Sequence, residues 1–328
     1  MKLVVIYLKP VKFNALNRKS EVKKWGKSAM SLVSFAKIRK RAPNPMLQAI
    51  LESCELINYS FEKEAENIVI KPNLCYYWDW TTGQTTDPRF IAALIDLIRE
   101  NISSKSNISI VESDASAMRC KYAFKMLGYE KLARDNHVRL VNLSEDSCNA
   151  TKVTVGNSSF NIMVPETIQN ADFKINVSKI KYTVDPIKLT CALKNIFGCN
   201  PYPKKFKYHP HLGEMIVALN KAMKFDLCLI DGNIVSGIEP RKIGLVMASK
   251  DPVAVDAAAA EIAGINPRGI NYLHLAEREG VGQASYTPKG LPVSYFSALY
   301  PRKTIKRKLM LRAYTLVTRL GLGKRLGL

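Results

Sequence analysis

No two of the seven cysteines (54, 75, 120, 148, 191, 199 and 228) stand in a C-x-x-C arrangement, and no three have the spacing that an iron–sulfur cluster takes. An intrinsic cluster is therefore not expected, and the thiols read as reduced. No apolar run approaches the ~18–20 residues of a transmembrane helix. The opening MKLVVIYLKP holds an apolar run of only six residues, Leu3 to Leu8, with no small-residue cleavage site after it. These absences lead to the expectation of a cytoplasmic chain. The motif G-x-S-x-G is missing, which leaves a Ser-His-Asp hydrolase without its nucleophile turn. WGKSAM (25–30) has the end of a phosphate-binding loop, but Glu21 stands where the first glycine belongs.

Acidic residues are also scarce: 28 Asp and Glu face 49 Lys and Arg, a net charge of +21. The excess is not spread evenly. Residues 18–41 hold nine basic residues and one acid, and residues 302–328 hold nine and none. The C-terminal stretch reads as an amphipathic helix, with Ile305, Leu309, Leu316 and Leu320 on one side and cations over much of the rest. In 18–41 the cations are interspersed with apolar residues that include Trp25, Met30, Leu32, Val33 and Phe35. Cations beside an apolar face suit an anionic membrane surface, so both ends are expected to hold the chain at the inner face of a membrane. Nucleic acid would attract the same charge. It is the weaker candidate, because the cations alternate with aliphatic residues and no nucleic-acid motif is present.

The body of the chain alternates between two periodicities. Short apolar runs at 68–70, 108–111, 139–143, 173–177, 226–230 and 243–249 read as strands, as does the run at 3–8. Between several of them lie helical patterns. In DPRFIAALIDLIREN (87–101) the apolar residues fall at helical spacing, with Asp87 as N-cap and Pro88 in the first turn. SKDPVAVDAAAAEIAG (249–264) repeats this grammar around Asp251 and Pro252. Strand and helix in series predict an α/β fold, a mainly parallel sheet flanked by helices. Residues 150–170 read as an inserted β-hairpin turning at Gly156-Asn157. The expected division is one α/β domain over 1–300, including the basic insertion 18–41, followed by a basic helix over 301–328.

In such sheets ligands gather at the carboxyl ends of the strands. Lys71, Pro72 and Asn73 follow one strand, Glu112 and Asp114 another, Lys179 and Lys181 a third, and Asp231 with Asn233 a fourth. Lysines and carboxylates should therefore meet on one rim. Just beyond the paired lysines, Ala192, Leu193, Ile196 and Phe197 continue a helical stripe that starts at Leu189. Lys188, Cys191, Lys194 and Asn195 fall on the other side, which reads either as part of the rim or as a solvated face.

The blocks IVIKPN, TTDPRF, KINVSKIK, LKNIFG, HPHLGEMI, LIDG and ASKDPVAVDAAAAEIAG, in this order, resemble those of the domain-of-unknown-function 362 family over about residues 65–285. That resemblance implies a prokaryotic protein, some of whose relatives are fused to ferredoxin-type iron–sulfur modules. By position it singles out Lys71, Asn73, Thr86, Asp87, Lys179, Lys181, Lys194, Asn195, His209 or His211, Asp231, Asp251 and Asp256. Where the family often has a histidine after the paired lysines, this chain has Tyr182 and Thr183.

The functional expectation is a site for a small anionic ligand, phosphorylated or carboxylated. Lys179, Lys181 and Asp231 are its catalytic candidates, and Lys71, Asn73, Thr86, Lys194 and Asn195 its binding candidates. Asp231, Asp256, Glu112, His209 and His211 offer hard ligands for Mg²⁺ or Mn²⁺. The competing expectation is a non-catalytic accessory protein that meets a redox partner protein in an iron–sulfur system.

Overall fold

The computed structural model describes residues 30–301, apart from 62–63, 75, 104, 184–186 and 238. The early run 3–8, most of the basic stretch 18–41 and the C-terminal basic stretch 302–328 lie outside the described residues.

The chain enters through β1 (Ser31–Lys37) and α1 (Pro45–Glu55), then runs through β2 (Asn67–Pro72), α2 (Pro88–Asn101) and β3 (Asn107–Glu112). Two short helices, α3 (Cys120–Met126) and α4 (Tyr129–Asp135), lead to β4 (Arg139–Asn142). The expected hairpin follows as β5 (Cys148–Val155) and β6 (Ser158–Pro165), a separate two-stranded sheet with Gly156 at its turn. After α5 (Glu166–Gln169) come β7 (Phe173–Ser178), the short strands β8 (Lys181–Tyr182) and β9 (Leu189–Thr190), and α6 (Ala192–Asn195). The remainder is α7 (Leu212–Ala222), β10 (Leu227–Ser236), β11 (Pro240–Ser249), α8 (Pro252–Ile262), α9 (Asn271–Arg278), β12 (Tyr286–Gly290) and α10 (Val293–Leu299).

The main sheet has the strand order β12-β1-β11-β10-β7-β2-β3-β4. Pairing is parallel from β10 through β4 and between β1 and β12; along this order β11 runs antiparallel to both neighbours, and off it β8 pairs parallel with β10 and antiparallel with β9. This is the mainly parallel α/β sheet that the alternating periodicities require. One apolar cluster covers a face with α1, α2, α3 and α4, and a second covers the other with α6 to α9. Two helix starts follow the sequence grammar. Asp87 accepts from the Arg89 amide at 2.9 Å, and Asp251 accepts from the Val253 amide at 2.8 Å, each followed by proline.

One expectation is corrected here. Val33 and Phe35, read as part of a basic membrane-binding stretch, are fully buried in β1, which lies between β11 and β12. SLVSFAK is rich in strand-forming residues, and the cations that frame it hid a core strand inside a charged segment.

Candidate functional site

The rim is built by register. Lys71 in β2, Asn176 in β7 and Cys228 in β10 share one row across three parallel strands. β10 then runs on past the end of β7, whose last paired residue, Ser178, faces Ile230. Asp231 comes one residue further along, beside the chain that leaves β7 through Lys179. Beyond it the β10–β11 ladder carries a bulge: Asn233 alone faces Ile243 and Gly244, and Gly244 takes a φ of 64°.

Two buried ion pairs stand on this rim. Lys71 Nζ lies 2.8 Å from Glu112 Oε2, and both side chains are almost fully enclosed. Lys179 Nζ lies 3.0 Å from Asp231 Oδ2, and they are enclosed to the same degree. Asp231 is further satisfied by the Asp87 amide at 2.9 Å and the Asn233 amide at 3.1 Å. It therefore fastens the start of α2 to β10. Asp87 in turn takes the Arg89 guanidinium at 2.8 Å, and that guanidinium rests 3.9 Å from the centre of the Trp80 ring.

Between the pairs runs a chain of amides. Lys181 Nζ donates to Asn73 Oδ1 at 2.6 Å and to the Gln84 carbonyl at 3.1 Å. Asn73 Nδ2 donates to Asn195 Oδ1 at 2.8 Å, and Asn195 Nδ2 donates to Asn176 Oδ1 at 2.8 Å. Thr86 Oγ1 accepts from the Asn73 amide at 2.9 Å and donates to the Val177 carbonyl at 3.2 Å. Eight residues named from the sequence, Lys71, Asn73, Thr86, Glu112, Lys179, Lys181, Asn195 and Asp231, thus belong to one polar layer. The side of the 189–197 stretch opposite its apolar stripe is not a solvated face: Cys191 and Asn195 are buried. Leu189 belongs to β9, and the helix proper begins at Ala192, continuing as a 3₁₀ turn over Ile196–Cys199.

Other candidates are placed elsewhere. Lys194 sits with its ammonium 4.2 Å from the Phe197 ring centre. Asp256, in the middle of α8, accepts from the amides of Ala192 at 2.6 Å and Leu193 at 3.3 Å, anchoring the turn that presents Asn195. Burial pushes its carboxyl up to about 7, against the opposing pull of those amides. His209 and His211 are exposed on the 3₁₀ segment Lys205–His211. His209 packs edge-on against Phe206, and His211 Nδ1 lies 3.3 Å from Glu214. Among the described residues, no three His, Cys, Asp or Glu side chains come together in a group that could hold a metal ion. The metal set expected from sequence is thus divided. Glu112 and Asp231 each hold a lysine, Asp256 caps a turn and the histidines are at the surface.

Sequence reading missed two residues here. Lys205 is buried and donates to Ser113 Oγ at 2.6 Å, and that hydroxyl donates on to the Gly198 carbonyl. Among the described residues no carboxylate lies within ion-pairing distance of Lys205. Burial, with Lys71 nearby, pulls its ammonium down to about 8, while Glu112 works the other way. Gly198 itself lies flat on the first ion pair. A methyl group there would stand 2.7 Å from Glu112 Oε1 and 2.8 Å from Lys71 Nζ. In KKFKYHPH nothing separates Lys205 from the exposed Lys204 and Lys207 except its position, so no local signal could have singled it out.

Fold and rim together define an α/β protein whose strand ends carry enclosed lysine–carboxylate pairs. The chain belongs to the family described as Domain of unknown function (DUF362), whose sequence profile matches residues 68–261. It is similar to a thylakoid-associated protein of Synechocystis sp., with 27% identity over 242 residues, 68% of this chain and 70% of that one. A solved structure, the lactate racemase apoprotein of Thermoanaerobacterium thermosaccharolyticum, aligns with a TM-score of 0.41 at 15% identity. That alignment covers 71% of this chain and 57% of the racemase. No helix among the described residues is long and apolar enough to cross a membrane.

Proposed function

We propose that the rim binds a small anionic ligand, phosphorylated or carboxylated, and that the protein works at a membrane surface. The observation that carries the first part is the group Lys71, Glu112 and Lys205. Two enclosed ammonium groups sit around one carboxylate, an arrangement one negative charge short of balance. Enclosing a cation without a counter-charge is costly, and a ligand anion that reached Lys205 would remove that cost. Lys181, with Asn73 and Asn195, supplies directed donors and acceptors beside it.

In this reading the lysines provide the charge neutralisation that a metal provides in other sites. Mg²⁺ or Mn²⁺ would enter only if Glu112 or Asp231 exchanged its lysine for the ion. The membrane part is supported by the cations that flank β1 within 18–41, by the basic stretch 302–328 and by the name of the thylakoid-associated relative.

The test of the ligand reading is a thermal-shift screen of phosphorylated and carboxylated small molecules, with magnesium and manganese present and absent. A concentration-dependent rise in melting temperature, lost in Lys205→Met, is the expected result. A flat response to every anion would remove the proposal.

A further inference from the structure

Six of the eight well-exposed large hydrophobic side chains among the described residues come from three short segments: Tyr76 and Trp78, Tyr122 and Met126, Tyr202 and Phe206. The segments abut. Tyr77 OH accepts from the Arg119 amide at 2.9 Å, and Ser116 Oγ donates to the Pro203 carbonyl at 3.3 Å. The first segment follows β2, the second is α3 after β3, and the third is tied to the residues after β3 through Ser116–Pro203 and Lys205–Ser113, so all three lie at the carboxyl end of the sheet that carries the lysine layer.

In two of the three segments the charge has one sign. Residues 115–129 and 199–213 contain no Asp or Glu. Lys121, Lys125, Lys204 and Lys207 are exposed among the rings, and Arg119 is exposed beside them with its guanidinium 2.8 Å from Asp114. Two of these cations are held against aromatic faces, Lys121 5.0 Å from the Tyr122 ring centre and Lys207 4.3 Å from that of Tyr202. The acid of the first segment, Asp79, is exposed and accepts from the Thr81 amide at 2.9 Å.

Apolar groups as open as Met126 at 64% and Phe206 at 61% mark an interaction site when they are gathered in one patch. Rings with a polar tip, aliphatic side chains and flanking cations are the composition that settles at the headgroup level of a bilayer. We infer that this face docks on an anionic lipid surface, with the rings and Met126 in the acyl boundary and the cations at the headgroups. The inference rests on the membrane-surface reading above and names the face that makes the contact. Such docking would turn the lysine layer toward the lipid. A nucleic acid strand could also stack on the rings, but Met126 offers no stacking face and the patch mixes aliphatic with aromatic groups.

The experiment uses the full chain and sucrose-loaded vesicles, either phosphatidylcholine alone or phosphatidylcholine with phosphatidylglycerol. The wild type should sediment with the anionic vesicles and shift its tryptophan emission to the blue, and Trp78→Phe should lose most of that shift. The triple variant Trp78→Ser, Met126→Ser, Phe206→Ser, checked for native circular dichroism, should partition at least tenfold more weakly. Wild-type partitioning by the triple variant would overturn the inference and assign binding to the basic ends, leaving the membrane reading intact. Absence of binding to any vesicle would remove both. Binding to a single-stranded oligonucleotide or self-association through the same residues, without vesicle binding, would also overturn it.

Discussion

Lys71 and Glu112 meet 2.8 Å apart on neighbouring parallel strands, and Gly198 closes over them with no room for a side chain. The pair is enclosed because the turn after α6 can lie against it, and only glycine allows that approach. Gly198→Ala should displace the lysine or the turn and cost about 1–3 kcal/mol, the usual penalty of overpacking. Urea unfolding of the variant measures it directly. A variant as stable as the wild type would show that the turn does not press on the pair.

The second pair makes a different demand. Asp231→Asn keeps an oxygen for the Asp87 amide but leaves the Lys179 ammonium enclosed and without its counter-charge. The expected loss is about 3–5 kcal/mol. Lys179→Met combined with Asp231→Asn removes the orphaned charge, so the double variant should be more stable than Asp231→Asn alone. Denaturant midpoints of the three proteins decide this. A double variant that is no better than the single would mean that Asp231 acts through its amide contacts, not through Lys179.

Asp256 gives the stability a slope with pH. Its folded carboxyl titrates near 7, above the ordinary value of 3.8. The folded state therefore binds more protons between those values, and stability should fall as pH rises from about 4 through 7. Lys205 acts with the opposite sign at higher pH. Its folded ammonium titrates near 8 against an ordinary 10.5, so the unfolded state binds more protons and stability should rise from about pH 8 to 10.5. Unfolding free energies across this range should show a shallow minimum between the two windows. Asp256→Asn should flatten the lower limb and Lys205→Met the upper one. An unchanged limb in either variant would assign the slope to other groups.

Much of this was legible in the sequence for a physical reason. Period-two and period-3.6 apolar patterns with proline-marked helix starts report local structure, and Asp87 and Asp251 cap where they were placed. Polar residues just after apolar runs report the carboxyl rim, which brought Lys71, Asn73, Lys181 and Asp231 into view, while Asn195 was marked by the helical spacing of its segment and the family resemblance. Pairing was not legible, because it depends on strand order. Nothing in VSKIKYT says that Lys179 meets Asp231 rather than a ligand, or that Lys205 is enclosed while Lys204 is not. The strand at 31–37 was hidden by its flanking cations, which dominate composition without entering the core.

The ligand claim rests on Lys205, and calorimetric titration tests it most directly. Inorganic phosphate and the best anion from the thermal screen would be titrated into wild type, Lys205→Met and Lys204→Met. Saturable binding that falls at least tenfold in Lys205→Met and is unchanged in Lys204→Met is the predicted result. Binding that is absent from the wild type, or equal in all three proteins, would contradict a ligand site built around the enclosed lysine.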